Sequence, residues 1–402
     1  MPANLPHRWN GRRVSGQPTS RYASSRRALL QVSSAGALAA AIAASAEAQV
    51  ARLTTPDATL AEEFSAIRGV RELANGRLLV SDYIDQRVVL VDFARGSVVL
   101  RVGKGGGPNE ARLPTRLIVV PGDSTLLVDL GNNRLLVLDG EGRAARTIAG
   151  ERPGLLGVRG VDAGGAFFFA VPGWSEQRPL PNDSVRIVKW NPRSGTEQTI
   201  AVVQGERMRS DIRQPAMTPR IPIVGYASQD GWVVADGGVI RIVRTGGYRV
   251  ERRAPGSAPI VGPSYAYPAR PVSDADRLAF VREFLATSPM SGKGEGGGMG
   301  FSPTLNEQEV AEMLRGTQFA ERHPLFDAGR VIGGPGGRLW VGRPAETGKP
   351  VLYDVFDEAG VRVTTVELLP ARRVVALGRQ SVYVVAESEL GIQQLERYPM
   401  PR

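Results

Sequence analysis

The chain has 402 residues, with 48 Gly and 29 Pro spread along its length, no Cys and only two His. Disulfides, thiolate metal sites, a cysteine nucleophile and a lipidated N-terminal Cys are therefore excluded, and no set of imidazoles exists for a zinc site. The formal net charge is +10, but residues 1–48 hold six Arg and one Glu, so the remainder carries 44 basic against 39 acidic residues, or +5. Almost all of that basic charge is Arg, with no basic run or aromatic-interleaved stripe, so nucleic acid is not an expected partner.

Residues 1–48 read as an export signal. Arg8, Arg12, Arg13, Arg21, Arg26 and Arg27 precede an Ala-rich stretch over 28–44, and Ala46-Glu47-Ala48 fits a small-x-small cleavage site. Ser25-Arg26-Arg27-Ala28-Leu29-Leu30 resembles a twin-arginine signal with Leu where Phe is usual; an ordinary secretory signal carrying an Arg pair is the alternative. The apolar stretch is short for a ~20-residue span and is interrupted by Ser33, Ser34 and Gly36, so no lasting membrane anchor is expected. A bacterial protein of the periplasm or exterior, monomeric, is the resulting expectation.

After residue 60, apolar runs of four to six residues alternate with Gly, Asn, Asp or Pro turns, the pattern of an all-β meander. The stretch 77–92 aligns with 125–139, Arg87 with Arg134 and Asp92 with Asp139, at an interval of 47 residues. A period in the forties with four strands per unit marks propeller blades. The expected strands are 66–72, 77–82, 87–92 and 97–102 in the first blade, and 115–120, 125–130, 134–139 and 143–148 in the second. The third has 157–162, 165–171, 184–190 and 196–203; the fourth has 221–227, 231–236, 239–244 and 247–252. The fifth has 329–333, 338–343, 350–357 and 361–367. The sixth shows only 372–377, 381–386 and 392–397. A bare edge is costly, so residues 50–55 are expected to complete that last blade. The fold class is thus an all-β, six-bladed β-propeller closed by an N-terminal strand, spanning 49–402.

An insertion over 253–327 separates blades four and five. Ser273 and Asp276 form a cap ahead of Leu278, Val281 and Leu285, predicting a helix over 274–286. Asn306 caps a second helix over 307–315, and a Gly-rich linker joins the two.

The two aligned stretches resemble NHL-type repeats. Gly103-Lys-Gly-Gly-Gly-Pro108-Asn-Glu110, Pro114, Val128-Asp129, Asn132-Asn133-Arg134 and Asp139 follow that repeat's order, and the first blade follows it from Asp82 to Asp92. Propellers of this type bind proteins, RNA or small ligands, and a minority are lyases or lactonase-like enzymes. The resemblance therefore implies the fold more than an activity.

Candidate chemistry is sparse. Asp82 and Asp129, with Arg87 and Arg134, are ligand groups or, since they recur in step with the fold, blade-internal ion pairs and turn hydrogen bonds. Asp82, Asp129 and Asp236 all close what the pattern makes second strands, and such carboxylates could hold Ca²⁺. A gluconolactonase-type site resembles this, although the usual Glu-Gly-Pro-x-Trp opening is replaced by Phe64-Ser-Ala-Ile-Arg-Gly-Val. Otherwise no cofactor and no catalytic residue is expected. Trp174 and Arg178 lie in a long loop where an aromatic suits a sugar or peptide contact. Connectivity puts the long connections, including that loop, the insertion and 343–349, at one end of the strands. The tight turns at Asn75, Asp123, Glu141 and 229–231 sit at the other. A protein, peptide or glycan ligand is therefore expected at the long-loop face, touching Asp82, Asp129, Trp174, Arg178, Asp236 and Arg343, with the insertion as a partial lid. A Ca-dependent lactonase or hydrolase and a periplasmic scaffold are the alternatives.

Replacing Arg26 and Arg27 together by Lys is expected to leave the precursor in the cytoplasm, measured by fractionation. Unchanged delivery of the double variant assigns the chain to the general secretory route.

Overall fold

A computed structural model describes residues 50–172, 183–206, 224–287, 290–291, 299–300, 306–346 and 348–401. The expected signal over 1–48 lies outside these residues, as do Trp174 and Arg178. Among the described residues no helix is long and apolar enough to cross a membrane.

The described residues form six antiparallel blades. Their innermost strands are Ile67–Glu72, Pro114–Val120, Gly160–Val161, Gly231–Ala235, Val331–Gly333 and Arg372–Leu377. Each lies beside the next, and the last lies beside the first, so the six strands close a ring around a channel. This is a six-bladed β-propeller.

The unbroken apolar runs of the middle strands follow from that geometry. In blade two, Leu126 and Val128 pack with Phe167 and Phe169 of blade three, while Leu127 packs with Leu79 and Leu90 of blade one. Successive side chains of a strand point to opposite faces, and both faces of a blade are covered by neighbours. Six such apolar layers separate the six blades. Outer strands lack that double cover, and Val99, Leu100 and Val202 there are exposed.

Ring closure uses the N-terminal region, but not the segment expected. Ala58–Phe64 pairs antiparallel with Gln393–Pro399, Ala58 opposite Arg397 and Phe64 opposite Gln393, completing the last blade. Val50–Leu53 instead pairs parallel with Arg362–Leu368 on the outside of blade five. The burial pattern explains the choice. Leu60 and Phe64 both enter the layer between the last and first blades, whereas only Leu53 of the earlier segment is buried.

Blade four is also displaced by one strand from expectation. Its strands are Gly231–Ala235, Val239–Arg244, Arg249–Arg253 and Ile260–Val261. Residues 224–227, the described part of the expected 221–227 strand, form no strand, only a single bridge from Gly225 to Phe319; Pro222 in that run has no N–H to offer a ladder. The turn at Asp236-Gly237-Gly238, with φ of 71° and 75° at the two glycines, is therefore a first-to-second turn. Asp236 accordingly ends a first strand rather than a second. It stands at the opposite end of the propeller from Asp82 and Asp129. The 229–231 segment, expected among the tight turns, belongs to the long-connection end.

The insertion carries helices α1, Asp274–Thr287, and α2, Glu307–Gly316. Ser273 Oγ accepts from the Asp276 N–H at 3.2 Å while Asp276 accepts from the Ser273 N–H at 2.9 Å, the reciprocal cap read from the sequence. Asn306 accepts from the Gln308 N–H at 2.9 Å. Val281, Leu285, Val310 and Met313 give the helix pair a small core of its own.

Phe64→Ala is expected to cost about 3–5 kcal/mol, as a fully buried aromatic at the closing strand should. Deleting 49–55 forfeits one buried leucine, about 2 kcal/mol, and should leave a cooperative melt. Deleting 49–64 should abolish it. Indistinguishable calorimetric melts for the two truncations would refute closure by 58–64.

Candidate functional site

Connections between blades and the second-to-third loops share one end of the strands, the end at which every innermost strand begins. The connections 105–113 and 150–159 and the described part of the insertion lie there. The insertion rests on the chain entering blade four. Tyr226 packs at a tilt against Phe280, Phe319 and His323 with ring centroids 5.3, 6.4 and 4.5 Å away, and its hydroxyl donates to the Asp276 carbonyl at 2.8 Å. Burial and the neighbouring Asp276 push the Tyr226 hydroxyl up to about 12. Arg270 pairs with Asp276 at 2.8 Å, and His323 Nε2 lies 3.2 Å from the same carboxylate. Burial works against that carboxylate, yet the hydrogen bonds from Arg270 and Ser273 hold it well below the ordinary range. The helices thus stand at the long-connection end, away from the turns at Asn75 and Asp123.

The sequence-nominated residues do not converge. Asp82 is fully buried and accepts from the N–H groups of Ser65, Ala66 and Asp85 at 2.9, 3.0 and 3.2 Å. Burial raises its pKa while those donors oppose the rise. Asp129, also fully buried, accepts from Arg112 N–H, Asn132 Nδ2 and Arg134 Nε at 2.8, 2.8 and 2.9 Å. The Asp129–Arg134 ion pair is the blade-internal contact anticipated. Its counterpart differs, because Arg87 turns to Glu62 at 2.7 Å and Asp85 at 3.4 Å. Asp236 is exposed at the far end. Asp82, Asp129 and Asp236 therefore form no shared carboxylate cage, and among the described residues no group of three or more acidic or His side chains is placed to hold a metal ion.

Arg343 belongs to a buried anchor. Asp354, fully buried, accepts from Arg343 at 2.7 and 3.1 Å, Tyr248 at 2.9 Å, Tyr267 at 3.1 Å and Thr365 at 3.0 Å. Burial alone would lower the Arg343 pKa, but the Asp354 carboxylate raises it. Burial and Asp354 push the Tyr267 hydroxyl up to about 12. Tyr267 opens the insertion and Tyr248 belongs to blade four, so this carboxylate fastens blade four and the insertion to blade five.

A feature of the mouth escaped the sequence reading. Arg68, Arg116, Arg159, Arg330 and Arg373 all lie at the start of the innermost strands of blades one, two, three, five and six. Arg159 and Arg330 immediately precede their strands, and the others lie within the first three residues. In blade four, the residue immediately before the innermost strand is Asp230. Its carboxylate is engaged by Arg244 at 2.8 Å and by the Gln204 and Thr245 N–H groups at 3.1 and 2.8 Å.

The arginine heads reach across blade boundaries. Arg159 donates to the Trp232 carbonyl at 2.8 Å and lies over its ring at 4.7 Å; Arg373 donates to the Ile67 carbonyl at 2.8 Å. Burial, then the charge of Arg116, push Arg159 down to about 10, and burial, then Arg68, push Arg373 down to about 10. Burial also lowers Arg116. The signal for this set is the pattern x-Arg-(Gly/Leu/Val)-(Val/Ile) in 67–70, 115–118, 158–161, 329–332 and 372–375, recurring at intervals of 48 and 43 residues and again at 43.

No family model matches the chain. No curated protein matches it either. Among solved structures, a protein of Bacteroides fragilis described as exported aligns over 88% of this chain and 95% of its own, with 12% identity and a TM-score of 0.46. The gluconolactonase XC5397 of Xanthomonas campestris aligns over 85% and 91%, with 12% identity and a TM-score of 0.39. Virginiamycin B lyase of Staphylococcus aureus aligns over 84% and 97%, with 10% identity and a TM-score of 0.40. These likenesses are too distant to transfer an activity or a site.

Arg343→Met would leave the buried Asp354 carboxylate with Arg362, at 3.7 Å, as its nearest cation. A loss of about 3 kcal/mol is expected in chemical denaturation, with incomplete rescue by Arg343→Lys because the forked contact is lost. Stability within about 0.5 kcal/mol of the parent would remove Arg343 from the anchor.

Proposed function

We propose that this chain is an exported ligand-binding propeller that takes its ligand at the channel mouth, on the face of the long connections and beside the helical insertion. The observation that carries this reading is the arc of arginine heads at that mouth, drawn from five blades. Cations gathered on a rigid scaffold repel one another and weaken the fold, a pattern expected of binding sites more than of structural ones. At the opposite end two buried arginines are already engaged, Arg71 with Asp123 at 2.8 Å and Arg241 with the Gly337 carbonyl at 2.6 Å. The anchor at Asp354 and the hydrogen bonds at Asp82 and Asp129 serve the mouth by holding its walls. The arginine-rich, Ala-rich leader supports export.

The absence of Cys permits a direct test of location. Gln229→Cys places a thiol beside the mouth and Asp236→Cys places one at the far end. Each is coupled to a bulky maleimide, and retention of a defined library of oligosaccharides, peptides and metabolites is measured by affinity mass spectrometry. Loss of retained compounds only with the label at 229 is expected. Loss only with the label at 236 would move the site to the other face.

A further inference from the structure

We infer that the channel mouth is a polyanion site, built for a ligand carrying two or more oxyanion groups, carboxylate or phosphate, along one edge. This rests on the mouth being the binding face and adds the chemistry of what binds there.

Two observations carry it beyond a general basic patch. The first is deficient counter-charge. Arg68 and Arg116 make no hydrogen bond or ion pair with the described residues, although Arg68 lies 5.6 Å from the Tyr83 ring. Arg159 and Arg373 bond to neutral oxygens, the Trp232 carbonyl for one and the Ile67 carbonyl and Gln393 amide for the other. Arg330 alone pairs with a carboxylate, Asp327 at 3.1 Å, and its Nη1 is buried without a partner. Glu206 and Glu387 attract Arg159 and Arg373 from nearby without bonding them. Guanidinium groups left in this state offer paired N–H donors in the geometry that carboxylates and phosphates accept.

The second observation is the order around the ring. Blades five, six, one, two and three supply Arg330, Arg373, Arg68, Arg116 and Arg159 in sequence, so the cations form one continuous arc. Blade four interrupts it with Asp230, whose carboxylate is turned to Arg244 and Thr245. The insertion leaves the chain directly after blade four. A ligand with its anionic groups against the arc would thus present its remaining side to the gap and the helices. One carboxylate can engage one or two of the five heads; filling the arc takes several. Because the unfilled arc is self-repelling, an occupant that neutralises it also stabilises the fold.

Citrate and inositol hexakisphosphate serve as probes, carboxylate and phosphate respectively, against acetate and maltotriose. The full mature chain, 49–402, is titrated calorimetrically in about 20 mM salt, where the screening length is long. At least one polyanion is expected to bind ten-fold or more tighter than acetate, to weaken at least ten-fold at 0.2 M salt, and to raise the melting temperature. Which of the two prevails names the oxyanion. Arg68→Gln with Arg116→Gln should weaken that binding ten-fold or more while leaving the ligand-free melting temperature unchanged or about 2 °C higher. A purely structural pair would do the reverse, lowering the melting temperature and sparing binding, and that result overturns the inference. So does polyanion binding no tighter than acetate; if the label at 229 still blocks library ligands, the mouth reading survives that failure. Polyanion binding untouched by the label at 229 would instead count against the mouth itself.

Discussion

The propeller depends on the pairing of Ala58–Phe64 with Gln393–Pro399, which joins its first and last strands and turns a row of hairpins into a ring. Without it, the last blade would carry a bare edge and the apolar layer between the last and first blades would lose Leu60 and Phe64. With it, each blade is covered on both faces. The arginines of the mouth require that closure. Arg68 and Arg373 come from distant parts of the chain and repel one another, and only a ring whose circumference is set by six packed layers can hold them as neighbours.

Polar groups at the mouth end divide into two kinds. Buried carboxylates are saturated: Asp82 by three backbone N–H groups, Asp129 by a backbone and two side-chain donors, Asp354 by two tyrosines, a threonine and an arginine. Such satisfaction is what makes a buried charge tolerable and what makes it poor at binding anything else. The arginines of the channel lack it. The contrast also separates this chain from a carboxylate–calcium site built on Asp82, Asp129 and Asp236, because two of those are spent on the fold and the third lies at the other end.

The hairpins, the number of blades, both helices of the insertion and their caps were legible because each is written locally, in runs of four to six apolar residues and in turn or cap residues at short spacing. Blade four was misread because its innermost strand follows a segment, Ile221-Pro-Ile-Val, that has strand composition, while its outermost strand is only Ile260–Val261. A one-strand displacement reverses which end a turn occupies, and Asp236 and the 229–231 segment changed ends for that reason. The closing strand is 58–64 and not 50–55 because only 58–64 buries two side chains between blades, which composition does not show.

The sequence by itself determined a cysteine-free, hairpin-built propeller of six blades with a helical insertion, since strand period, turn chemistry and helix capping act over a few residues. Tertiary structure alone decided which N-terminal strand closes the ring, which face each turn occupies, and that five arginines separated by most of the chain stand in one arc. Those are consequences of closure, a constraint between the first and last strands of the propeller, and no local pattern of residues encodes the angle at which one blade meets the next.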